Sequence, residues 1–179
     1  MNSKEKFDVN EKPWKTPFYL MPVLWLLSFF STLSVGGKVK KENTEGLEPP
    51  YLLLANHGSF IDFPMTEKVI MPKRCNWVVS IEEFNGREWL MRAVGSIYKR
   101  KFTIDVTVVK HILSALKKRT VVIYPEARFG LAGVTEQLDG ALGKLVKKAN
   151  VPVATFIMHG NFLRSPQWNK KPVRRVPVS

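Results

Sequence analysis

Two residues with the types and spacing for acid–base chemistry lie close together: His57 and Asp62, separated by four residues in the run YLLLANHGSFID. An imidazole near neutral pH can take a proton from a hydroxyl, and a carboxylate on its other nitrogen can orient it and stabilise the cation that forms. Apolar, β-forming residues from Tyr51 lead into Asn56-His57, so the pair falls just past a buried strand, where α/β proteins place their sites. Spacing alone leaves a second reading open. Asp62 can cap a helix beginning near Phe63, or close a Ser59-x-x-Asp62 capping box, for about 1 kcal/mol. His57 is then an ordinary loop histidine. Neither His111 nor His159 has an Asp at this spacing, and His111, within a helical pattern, is expected to be a surface or structural residue.

The elements around this pair alternate between strand and helix. Residues 51–55 form the first strand, and a helix starts near Asp62, with Pro64 in its first turn and Pro72 closing it. A second strand covers residues 75–81. A short helix over residues 86–94 turns Trp89, Leu90 and Ala93 inward. A third strand covers residues 95–98. The helix over residues 105–118 carries Val106, Val109, Leu113 and Leu116 at helical spacing. TVVIY at residues 120–124 is a strand buried on both faces. A helix over residues 135–149 and a buried strand over residues 152–158 follow, and residues 171–179 begin another strand. This alternation predicts an α/β fold, a layered mixed β-sheet flanked by helices. Residues 38–179 are read as one domain, cut short at its C-terminal end.

The N-terminal part is different. Residues 1–15 read as a loose charged arm. Residues 16–37 contain no charged side chain and are flanked by Lys12, Lys15, Lys38, Lys40 and Lys41. The run nearly reaches the roughly 20 apolar residues of a spanning helix, but Pro22 shortens its regular part. Ser28, Ser31 and Thr32 form a weak polar stripe. The expectation is a helix lying in, or partly inserted into, one leaflet. A single span and a buried core helix are the alternatives.

Composition narrows the partners. The chain has 179 residues, 45% hydrophobic, and a formal net charge of +13. A disordered protein is excluded, and one substantial core is expected. No acidic residue follows Asp139. Such a surface attracts phosphates of lipid, soluble substrate or nucleic acid. No zinc-finger, RNP-like or helix-turn-helix signature accompanies the charge, so nucleic acid is not the expected partner. Cys75 is the single cysteine, which excludes an intrachain disulfide. No Cys/His cluster suggests a metal site.

Asn56-His57-Gly58-Ser59-Phe60-Ile61-Asp62 resembles the NHxxxxD motif of the glycerolipid acyltransferases, which include the 1-acylglycerol-3-phosphate acyltransferases. Three further blocks follow in the family's order. Gly95-Ser96-Ile97-Tyr98-Lys99-Arg100 resembles the second, Tyr124-Pro125-Glu126-Ala127-Arg128 the third, and Val151-Pro152-Val153 the fourth. The third block departs from the family's Pro-Glu-Gly-Thr-Arg: Ala127 replaces Gly-Thr, so Arg128 is displaced by one position. In the second block the usual arginine position falls on Lys101.

The resemblance implies an O-acyltransferase of phospholipid biosynthesis at the cell membrane, with its site on the cytoplasmic side. Its donor would be acyl-coenzyme A or acyl carrier protein, and its acceptor a lysophospholipid. No bound cofactor is expected, and membrane lipids are the expected surroundings. His57 and Asp62 would be catalytic. Asn56, Gly58, Ser59, Arg100, Lys101, Glu126 and Arg128 would contact substrate, with backbone N–H groups near Gly58 as oxyanion donors. The alternative is a catalytically weak, basic membrane- or phosphate-binding protein that keeps the fold. A hydrolase using water as acceptor is a further possibility.

Overall fold

A computed structural model describes residues 10–33, 35, 39–100, 105–126, 138 and 140–164. Five strands form one sheet: β1 (Leu52–Ala55), β2 (Cys75–Ser80), β3 (Ser96–Lys99), β4 (Thr120–Ile123) and β5 (Val153–Phe156). Their order is β3-β2-β4-β1-β5, and every pairing is parallel. The α/β class is as expected, but the sheet, anticipated as mixed, is parallel throughout its described strands. Helices on both faces let the buried strands run as continuous apolar segments.

The helices are α1 (Met21–Leu33), α2 (Asp62–Ile70), α3 (Glu88–Ala93), α4 (Val106–Ala115), α5 (Gly140–Ala149) and α6 (Asn161–Arg164). Alternation along the strands divides the core. Tyr51, Leu53, Trp77 and Val122 face α2, with Phe63 and Ile70 packed on them. Leu52, Val121 and Ile123 face the other side, where Val108 and Ile112 of α4 and Leu145 and Val146 of α5 cover them. The connection leaving β1 therefore runs over one face and the connection leaving β4 over the other. β1 and β4 are neighbours, so a crevice opens between their C-terminal ends, which is where open α/β sheets bind ligands.

Several sequence expectations are corrected. Trp89 is 69% exposed and Leu90 also faces out, whereas Arg92 and Ala93 are buried. Arg92 turns inward because Glu88 and Glu11 both pair with it. In α4 the buried stripe is Val108, His111, Ile112 and Ala115, while Val106 is exposed. The helix is thus rotated from the expected register, with Asp105 capping it through the N–H groups of Thr107 and Val108. β5 is an edge strand and only half covered. The arm is not loose throughout: Asn76 Nδ2 donates to the Trp14 carbonyl, and Trp14 Nε1 donates to Glu11. Residues 135–137 and 171–179, expected to be helix and strand, lie outside the described residues.

The apolar run folds as a 3-10 turn, Phe18–Leu20, followed by the 13 residues of α1, with Pro22 in its first turn. That length is about 20 Å, against a bilayer core of about 30 Å. No helix among the described residues is long and apolar enough to cross a membrane. α1 lies across α2 and turns its polar side inward: Ser28 and Thr32 are buried, while Trp25, Leu26, Leu27, Phe30 and Leu33 are exposed. Its two ends reach opposite edges of the sheet. Near its start, Thr16 approaches Gly95 and Trp14 meets Asn76, at the beginnings of β3 and β2. Just past its end, Val35 packs with Ala55, Met65 and Met158, at the ends of β1 and β5.

Candidate active site

The backbone turns sharply after β1 because Asp62 gathers the turn around itself. Its Oδ2 accepts from the N–H of Gly58 (2.7 Å) and of Ser59 (2.9 Å), and lies 2.9 Å from His57 Nδ1. Its Oδ1 accepts from Asn161 Nδ2 at 2.7 Å. The carboxylate is fully buried. Four donors surround it, which is how a buried charge is made tolerable. A carboxylate that only accepts requires Nδ1 to carry the ring proton, so in the neutral ring the lone pair sits on Nε2. That is the tautomer a general base requires.

The two readings of Asp62 turn out to share one geometry. The carboxylate reaches back to the Ser59 N–H as the acidic member of a capping box does, while the Ser59 carbonyl accepts from the Asp62 N–H. The reciprocal hydroxyl bond is missing: Ser59 Oγ is buried without a hydrogen-bond partner among the described residues. The same oxygen that organises the turn also orients His57.

Tertiary neighbours then fix the ring. Tyr124, the first residue past β4, stacks on His57 with centroids 4.3 Å apart and planes at 21°. Its hydroxyl donates to Thr66 Oγ1, which donates to the Asp62 carbonyl. Burial pushes the Tyr124 phenol up, so it stays a neutral donor. Trp77 and Phe63 continue the aromatic packing behind it. His57 remains partly accessible, at 22% of its side chain.

The expected substrate-binding residues take different positions. Both polar ends of the Asn56 amide bond to the Met158 backbone, each at 2.8 Å. This clamp ties the end of β1 to the end of β5, so Asn56 positions the turn. The N–H groups of Gly58 and Ser59 point to Asp62, which corrects their assignment as oxyanion donors. Gly58 is needed for space: a Cβ there would stand 2.8 Å from Asn161 Nδ2. Arg100 follows β3 and pairs with Asp105 at 2.9 Å. β3 is three strands from β1, roughly 14 Å by strand spacing. Glu126, half-buried, follows β4 on the same edge of the sheet as His57. Lys101 and Arg128 lie outside the described residues.

Asn161 and Tyr124 are the site residues that the His/Asp spacing did not reveal. The available signal was position alone, since each follows a strand that ends on the same edge as β1.

A groove of about 850 Å³ begins at this edge. Its floor includes Leu53, Met65, Phe156 and Met158, and Lys40, Lys41 and Lys73 line it as well. It lies between residues 39–48, α2 and β5, and its walls reach Met158 and His159.

Comparison with known proteins bears on the fold and the family. The fold is similar to the crystal structure of the 1-acyl-sn-glycerophosphate (LPA) acyltransferase PlsC from Thermotoga maritima, with a TM-score of 0.70 and 16% identity. That match covers 89% of this chain and 66% of the other, so this chain spans just under two thirds of that protein's length. No curated protein matches the chain. The model of the Acyltransferase family matches residues 38–159, which include the sheet, α2 and the His57 turn. The chain therefore belongs to the acyltransferase family.

Proposed function

We propose that this protein transfers a fatty acyl group from a thioester, acyl-coenzyme A or acyl carrier protein, to the hydroxyl of a lysophospholipid, with 1-acylglycerol-3-phosphate as the foremost acceptor. The observation that carries this reading is the His57–Asp62 pair, held at 2.9 Å with the carboxylate saturated by donors. His57 Nε2 takes the acceptor's hydroxyl proton as its oxygen attacks the thioester carbonyl. The C–O bond forms, the tetrahedral oxyanion collapses, and the C–S bond breaks. The proton on Nε2 then passes to the departing thiolate. Asp62 stabilises the imidazolium between those steps, and the acceptor alcohol stands where a triad serine would, so no acyl-enzyme is needed. Base assistance of this kind contributes about 10²–10⁴-fold.

The surroundings support lipid substrates. The groove ending at Met158 offers an apolar floor to an acyl chain, with Lys40 and Lys41 suited to a phosphate. The exposed apolar face of α1 suits a lipid surface, and the α1 end at Val35 lies on the same edge of the sheet as His57. Glu126, Arg128, Arg100 and Lys101 are proposed for the acceptor's glycerol and phosphate, with Arg as the bidentate partner.

Mass spectrometry of lipids tests the reading. The full chain in micelles is given acyl-coenzyme A or acyl carrier protein donors and a panel of lyso-acceptors, alongside His57→Ala. Diacyl product from the wild type, reduced by about 10²-fold or more in the variant, is the expected result. Free fatty acid without diacyl product would make the protein a hydrolase. No turnover from folded, lipid-bound protein would favour a binding role.

A further inference from the structure

Arg74 and Arg119 stand side by side at the edge of the sheet opposite His57. β2 and β4 pair with Cys75 opposite Thr120, and each arginine immediately precedes its member of that pair. Neighbouring parallel strands lie about 4.8 Å apart and send in-register side chains to the same face. Both residues are partly buried, and Arg119 Nε is buried without a hydrogen-bond partner among the described residues. Three other described arginines, and Lys73, are answered by carboxylates: Arg92 by Glu11 and Glu88, Arg100 by Asp105, Arg87 by Glu83 and Lys73 by Glu48. Among the described residues, neither Arg74 nor Arg119 has such a partner. Burial and the adjacent Arg74 charge push the Arg119 guanidinium down from its ordinary value.

Like charges opposite one another on adjacent strands are unfavourable. Lys117 and Lys118 are exposed just beyond the end of α4, where the helix dipole accounts for cations. That dipole gives no reason for two arginines to precede paired strand positions with an Nε withdrawn from water. A doubly charged oxyanion does, because it accepts from both forks and cancels their repulsion.

We propose that Arg74 and Arg119 form an oxyanion site for phosphate, free or as a lipid phosphomonoester, separate from the His57 site. Strands of four to six residues separate the two edges, roughly 15–20 Å. The phosphate of an acceptor whose hydroxyl reacts at His57 therefore does not fill it.

Two arms distinguish the sources. In the first, inorganic phosphate is titrated at constant ionic strength into the full chain, with thermal unfolding and the arginine Nε–H NMR signals as readouts. In the second, binding to phosphatidylcholine vesicles is compared with and without phosphatidic acid. Arg74→Gln and Arg119→Gln are measured in both, so the result does not depend on one variant folding. The expected result is phosphate binding by the wild type, weakened about tenfold to a hundredfold in each variant. Loss in the variants of only the phosphatidic-acid-dependent vesicle binding would identify a lipid headgroup as the source. Equal responses of wild type and variants in both arms, or none in either, would overturn the proposal.

Discussion

Asn161 Nδ2 donates to Asp62 Oδ1 at 2.7 Å, joining residues 99 positions apart. The bond fixes the side of the carboxylate that His57 does not use. It also crosses the tip of the His57 turn, where Gly58 leaves room for it.

Asn161→Ala is therefore expected to act through Asp62. Leaving Oδ1 short of a donor costs about 1–3 kcal/mol. As a positioning residue, Asn161 should affect kcat far more than KM, and its loss should shift the pH profile of kcat because Asp62 then holds the His57 imidazolium differently. Steady-state kinetics across pH check this. A variant with reduced stability but an unchanged profile would make Asn161 purely structural.

Glu67 of α2 is buried with the Cys75 thiol 4.0 Å from its Oε2, and burial pushes its carboxyl from 4.5 up to about 7. Burial likewise holds the Cys75 thiol protonated. A raised acid means that the folded state retains a proton the unfolded chain releases. Glu67 thus costs no ionisation penalty below about pH 4.5. It lowers stability progressively between about pH 4.5 and 7, and by a constant amount above that, on the order of 3 kcal/mol. Glu67→Gln should match the wild type near pH 4 and be more stable near pH 8. Urea unfolding midpoints at the two pH values measure the difference. A gap that does not change with pH would show that Glu67 does not titrate in this window.

The outward face of α1 carries the proposed lipid contact. Leu27 and Phe30 are 60% and 63% exposed, so replacing either by Asp removes little packing. Stability should change by about 0.5 kcal/mol or less. Co-sedimentation with vesicles should fall sharply, because a charge on the inserted face opposes burial in the headgroup boundary. Vesicle binding that survives both substitutions would remove α1 from the membrane contact.

Much of the scaffold is legible in local residue patterns. Local pattern suffices for a buried strand over residues 51–55 and an apolar central strand over residues 120–124, each found one residue shorter, and for a helix whose first turn accepts Pro64, because each is specified by its own residues. The His57–Asp62 pairing was legible for the same reason, since one turn brings the two together. The rotation of α4 was not, because its apolar residues leave more than one face to bury and packing selects Val108 and Ile112 over Val106. Nor was the inward turn of Arg92, which depends on Glu11 arriving from the N-terminal arm.

The residues that complete the site arrive through long-range packing. Strand order places β4 and β5 on either side of β1, and that order alone brings Tyr124 onto the His57 ring, Asn161 onto Asp62 and Met158 onto Asn56. It also places Arg74 beside Arg119, through a pairing between strands that are not consecutive in the chain. Such contacts depend on which strands become neighbours, a result of burying both sheet faces at once, and no local periodicity encodes it.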